Sequence, residues 1–166
     1  MSRPITESVS DSISNQASTR DATRVNASLA NLIVQVHDDL AGLTVQELED
    51  GMTADLGEKL TAMIQTYGDD GVKALASIIS SEKVSAEILS HTLRWLARID
   101  DPKTYDARLR LLTDCLRSPS YITRDGALLG LSTLADRRAV DAIRSAAACE
   151  TRASLKRDME EVLNQL

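Results

Sequence analysis

The sequence predicts an all-α chain of stacked helical hairpins, and three observations carry that expectation. Apolar residues recur at i, i+3 and i+4 from residue 29 almost to the C-terminus, the period of a helix with one buried face. Leu and Ala dominate the apolar set, and the 166 residues hold three Pro, seven Gly, one Trp, three Tyr and no Phe, a composition that favours helix over sheet. The second half also repeats itself. Leu93, Leu96 and Ile99 recur 35 residues later as Leu128, Leu131 and Leu134, and the last two recur 32 residues on as Leu163 and Leu166.

Residues 1–28 are rich in Ser and Thr and lack a sustained apolar period. They bury too little surface to offset chain entropy and read as a disordered tail. Leu29, Leu32, Ile33, Val36 and Leu40 mark the first helical stripe. Thr44-Val45-Gln46-Glu47 has the form of a capping box, in which hydroxyl and carboxylate satisfy free N–H groups at a helix start. Val45, Leu48, Met52, Leu56, Leu60, Met63 and Ile64 continue one face, with a break expected near Gly51-Met52-Thr53 and Thr53 as a fresh cap. Tyr67-Gly68-Asp69-Asp70-Gly71 reads as a turn. Beyond it, Leu75, Ile78 and Ile79 correspond to Leu112, Cys115 and Leu116, then to Ile143, Ala146 and Ala147. Each unit is thus a helix, a short turn, a second helix and a loop. A lone hairpin cannot bury both its apolar faces, so the expected architecture is an α-solenoid, with residues 29–68 as an acidic N-terminal cap and 69–166 as the repeats.

Composition also excludes several classes. The net charge is −6, against the basic face that a nucleic-acid coat needs, and base-stacking aromatics are nearly missing. Cys115 and Cys149 fall at helical spacing among Leu and Ala and read as two buried, reduced thiols. The first thirty residues hold no secretory apolar core, and no run approaches the ~20 apolar residues of a membrane span, so a cytoplasmic chain is expected.

Ser118-Pro119-Ser120-Tyr121-Ile122-Thr123-Arg124-Asp125-Gly126-Ala127-Leu128-Leu129-Gly130-Leu131 resembles the HEAT repeat. In that family the second helix opens with a β-branched residue, an Arg, two variable positions and Ala, as Thr123 to Ala127 do. Asp101-Pro102-Lys103-Thr104 and Asp136-Arg137-Arg138-Ala139-Val140 look like its inter-repeat turns. The pattern is similar to HEAT-like proteins related to phycobilin-lyase repeats and covers roughly residues 70–166. It departs from them at Ser118, where the family usually has Asp, and at Ile88-Leu89 and Leu155-Lys156, which stand where Thr123-Arg124 would recur. The resemblance implies a protein-binding scaffold, and through the lyase relatives a weaker link to tetrapyrrole handling that lacks a well-placed His–Cys pair here.

Chemistry-bearing patterns are sparse. His37 and His91 have no Cys or acid at metal-ligand spacing, no phosphate loop or nucleophile elbow occurs, and Glu160-Glu161 and Asp100-Asp101 diverge by ~100° on a helix. A non-catalytic protein without cofactor or metal is therefore expected. Charge is segregated: residues 29–71 hold nine acids and one base, Lys59, while residues 72–166 hold 13 acids and 15 bases. Such a bipolar chain can steer a charged partner or associate head to tail. Arg94, Trp95 and Arg98 lie within one turn of a second helix, and Trp and Arg are enriched in binding hot spots. Trp95 also borders the apolar stripe, where its indole would fill space left by Gly130 of the next unit. With Arg137 and Arg138 these residues form the candidate partner-binding set, and Arg124 reads as an arginine that binds a turn. Gly126 and Gly130, at i and i+4, read as a close helix–helix approach. The expected function is a protein–protein interaction scaffold. The alternative is a nucleic-acid module drawing on Arg94, Arg98, Arg124, Arg137, Arg138 and Arg144.

Overall fold

The computed structural model describes residues 28–44, 46 and 53–166, and all regular structure among them is helical. Helix α1 spans 28–41, α2 Thr53–Tyr67, α3 Asp69–Ser81, α4 Ala86–Leu96, α5 Tyr105–Cys115, α6 Tyr121–Leu134, α7 Val140–Cys149 and α8 Ala153–Gln165, with a 3₁₀ turn at Arg137–Ala139 before α7. The disordered-tail reading falls outside the described residues except at Ser28, which is already helical. The capping box (Val45, Glu47), the upper stripe (Val45, Leu48, Met52) and the break at Gly51-Met52 also lie outside them, and α2 opens at Thr53.

The apolar period sets each buried face. Leu32, Val36 and Leu40 of α1 and Leu56, Leu60 and Ile64 of α2 are buried at i, i+4, i+8. Leu75 and Ile78, Leu112, Cys115 and Leu116, and Ile143 and Ala147 turn inward from α3, α5 and α7 and the residue that ends α5, while Ile79 and Ala146, which correspond to Leu116 and Cys115, are only half-buried. Two serines start helices in equivalent places: Ser85 Oγ accepts from the Ile88 N–H and Ser120 Oγ from the Thr123 N–H, each at 3.4 Å. Between units, Asp136 Oδ1 accepts the Arg138 N–H at 2.9 Å and so caps the 3₁₀ turn.

Alternate helices pack on one another: α2 on α4, α4 on α6, α6 on α8, and α3 on α5. Neighbours α2 and α3, α5 and α6, and α7 and α8 also pack. The α4–α6 contact is the broadest, and small residues are the reason. A Cβ added at Gly126 would lie 2.5 Å from Ser90 Cα, and one at Gly130 3.0 Å from the Leu93 carbonyl oxygen, so the two backbones meet where these glycines stand. One continuous core results, from Leu32 in α1 to Val162 in α8.

Four expectations need correction. The five-residue turn at Tyr67–Gly71 is a single residue, Gly68, whose φ of 56° suits glycine. Asp69 and Asp70 instead form the first turn of α3, where the helix dipole favours acids. Cys149 is exposed rather than buried, because six positions from Ile143 is ~240° around the helix. In α8 the residues that face α6 and α7 are Leu155, Met159 and Val162, which are buried, and Leu163 and Leu166 are only half-buried. Finally, the indole of Trp95 fills the space left by Gly57 of α2, where an added Cβ would lie 2.6 Å from the ring; Gly130 faces Leu112, Leu93 and Ala97.

Candidate functional site

Arg94 and Trp95 stand in the last turn of α4, but Arg98, expected on the same helix, lies in the turn just after its end at Leu96. Arg94 and Trp95 are half-buried and Arg98 is exposed, its guanidinium 5.1 Å from the centre of the indole ring. Neither Arg94 nor Arg98 has an ion pair among the described residues. Across the α4–α6 contact, Asp125 is half-buried, and burial chiefly raises its pKa; the Asp158 carboxylate adds to the rise and Arg94 opposes it. The same stripe of α6 carries Ile122 and Leu129, and Leu129 is 40% exposed. Cationic, acidic and aliphatic groups thus share one face across α4, α6 and α8.

Arg137 and Arg138 are placed differently. Both are exposed on the 3₁₀ turn, but Arg138 is clasped: Nη2 donates to Asp136 at 2.8 Å and Nη1 to Asp106 at 2.9 Å. The Tyr105 hydroxyl donates to the same Asp136 carboxylate at 3.0 Å, and the Arg138 guanidinium lies 5.5 Å from the Tyr105 ring centre. These donors, Arg138 first, hold the Asp136 pKa down at about 2, while burial foremost raises that of Tyr105. The clasp ties α5 to the turn before α7. A groove of about 440 Å³, lined by Arg98, Pro102, Tyr105, Asp106 and Leu134, runs between this clasp and the end of α4. It joins Arg98 to the residues that hold Arg138.

Two arginines have structural roles. Arg124 donates from Nε and Nη2 to both oxygens of Glu150, at 2.8 and 3.0 Å, and from Nη1 to the carbonyls of Ser118 and Pro119 at 2.8 and 3.0 Å. It binds its turn, as its sequence position suggests. This pair floors a groove of about 700 Å³ between α5 and α7, with Leu116, Ala142, Ala146 and Cys149 in its walls. With its donors so engaged, Arg124 is committed to the fold.

Arg108 has no counterpart among the sequence-predicted site residues. It is 1% exposed and donates to the Leu96 carbonyl (2.9 Å), the Asp101 carbonyl (3.0 Å) and Thr104 Oγ1 (3.2 Å). It thereby satisfies the end of α4 and the loop that follows, and burial lowers its pKa. The signal was present: Arg108, Leu112 and Cys115 stand at i, i+4 and i+7, so the period itself points this arginine inward.

Comparison of the chain with protein-family models, with curated proteins and with solved structures returns no match. Among the described residues, no group of three or more His, Cys, Asp or Glu could hold a metal ion, and no helix is long and apolar enough to cross a membrane.

Proposed function

We propose that this chain is a HEAT-like α-solenoid serving as a non-catalytic adaptor, which binds another protein through the outward face of α4 and α6. The observation that carries the reading is the company kept by Arg94 and Arg98. Two cations without an ion pair among the described residues flank a half-buried Trp95, and the neighbouring helix exposes Leu129. Charge beside exposed apolar surface is the composition of a protein-binding face, and rigid helices lower the ordering cost of association. The solenoid reading draws on the contacts of alternate helices and on the 35- and 32-residue recurrence.

The nucleic-acid alternative loses ground. Of the six arginines it draws on, Arg124 is bound to Glu150, Arg138 to Asp106 and Asp136, and Arg144 to Asp141. Neutralised in this way, they release few counterions on meeting phosphates.

Quantitative affinity capture from native lysate, run in parallel with the wild-type chain and with R94E/R98E, tests the reading. A defined protein is expected to be depleted about tenfold or more by the double substitution, with the thermal midpoint nearly unchanged. Identical captures by the two chains, or duplex DNA retained with a steep salt slope, would defeat it.

A further inference from the structure

We infer that α7 and α8 form an exchangeable hairpin: at high concentration two copies of this chain trade it, and α6 and α7 of each copy fuse into one helix. The sequence across the α6–α7 turn favours helix throughout. From Leu131 to Cys149 it holds neither Gly nor Pro. Leu131, Leu134, Ala135, Ala139, Ala142 and Ile143 keep the helical spacing i, i+3, i+4, i+8, i+11 and i+12 straight through the bend. Ala and Arg fill four of the five positions 135–139 and rank among the best helix formers. Pro102 and Pro119 bar such a fusion at the turns before α5 and α6.

The chain nevertheless bends here, and Ala135 bears the bend. It ends α6 at φ 49° and ψ 36°, the left-handed region that a helix end usually fills with Gly. Among the described residues Glu82 is the other non-glycine at positive φ, but Val84, two residues on, is buried and anchors that turn. Ala135 is exposed. Asp136 holds the bend: it caps the 3₁₀ turn through the Arg138 N–H and accepts from the Tyr105 hydroxyl and the Arg138 guanidinium. A straight helix gives up this cap and clasp, and returns Ala135 to the right-handed region.

The remaining ties of the hairpin can form equally well between copies. Leu155, Met159 and Val162 bury the α8 side of its contact with α6, and Glu150 takes its forked ion pair from Arg124 of α6. Helix α7 packs chiefly on α8, and the groove of about 700 Å³ separates it from α5. On a second copy the hairpin meets the same α6 residues that it already fits, so no new complementary surface is needed. Each copy gives one hairpin and receives one, and the product is a closed, symmetric dimer. Its fused helix, from Tyr121 to Cys149, is ~43 Å long. The exchange reuses contacts within the fold and is independent of the adaptor reading.

Sedimentation velocity on the full chain, refolded from urea at about 10 µM and at about 1 mM, provides the first test. The dilute sample is expected to be monomeric. The concentrated one should contain a dimer that survives return to about 10 µM for about an hour or more, since each hairpin must detach before it can fold back. A135G suits the bend and weakens the straight helix, and should weaken dimerisation at least about tenfold. D136A removes the cap and adds a helix former, and should strengthen it by as much. Native mass spectrometry of R124E refolded together with E150K identifies the exchange itself. Each variant alone sets like charges against each other where the hairpin meets α6. Exchange restores Arg124 to Glu150 at one contact and sets the new carboxylate against the new ammonium at the other. Mixed dimers are therefore expected to outnumber like dimers at least about tenfold, and a hairpin that fails to dock in either variant alone sharpens that preference. Absence of a dimer from both wild type and D136A at about 1 mM, a dimer indifferent to A135G, or a statistical mixture of the charge variants would each overturn the exchange.

Discussion

At the scale of single residues, the polar groups that organise this molecule are those that close turns. Glu150 is the clearest: its side chain is 1% exposed, it takes a forked ion pair from Arg124, and Oε1 also accepts the N–H groups of Thr151 and Arg152 at 2.9 and 3.0 Å. These bonds favour the ionised form, Arg124 most of all, and hold the Glu150 pKa at about 2. The folded-state value lies below the ~4.3 of an unfolded chain, so the stabilisation is complete above about pH 4.5 and is lost as pH falls towards 2. Arg124 retains some contact with solvent, its side chain being 17% exposed, and screening at the rim of the groove leaves a contribution of about 1–2 kcal/mol. Glu150→Gln should therefore destabilise by about that amount at pH 7 and flatten the acid limb between about pH 4.5 and 2. Urea unfolding at pH 7, 4 and 3 reads both effects. Parallel acid limbs for the two proteins would show that the pair does not contribute as its geometry indicates.

Between helices, closeness of backbone decides what each position tolerates. In an exposed helix, Gly→Ala stabilises by about 1 kcal/mol. At Gly126 the new Cβ would lie 2.5 Å from Ser90 Cα, and backbone cannot step aside as a side-chain tip can. G126A is therefore expected to cost about 1–3 kcal/mol by prising α4 from α6, read as a lower midpoint in thermal or urea unfolding. A neutral or stabilising result would mean that the two helices stand further apart. Sequence spacing anticipated this approach, because two glycines one turn apart in an apolar helix have few other uses. It could not say which way Trp95 leans. Successive units place Gly130 at the equivalent of Trp95, but the choice between filling the preceding or the following unit is made by the packing of α4 on α2, and the indole goes to Gly57. The clasp on Arg138 is likewise hidden from a sequence that shows only its charge and its place in a turn. Its partners Asp106 and Asp136 are 32 and two positions away, and only the second is visible as local sequence.

Over the whole molecule, the recurrence of Leu and Ala at helical spacing made the helical class and most inward-facing residues legible, whereas α8 departs from it. It packs on α6 and α7 with Leu155, Met159 and Val162 inward, while Glu160, at the equivalent of the buried Leu128, faces solvent. An array coupled mainly between neighbours makes a definite claim about how stability is distributed. Met159 is fully buried, and M159A should cost about 2–4 kcal/mol through lost burial and the cavity left behind. In the proposed solenoid that loss stays near its origin. Amides of α7 and α8 should exchange at least tenfold faster, those of α6 somewhat faster through the Arg124–Glu150 link, and those of α1 to α3 at the wild-type rate. Peptide-resolved hydrogen exchange measures this directly. A closed bundle, in which every helix shares one interior, would instead show faster exchange in α1 to α3 as well, and that outcome would rule out the proposed array.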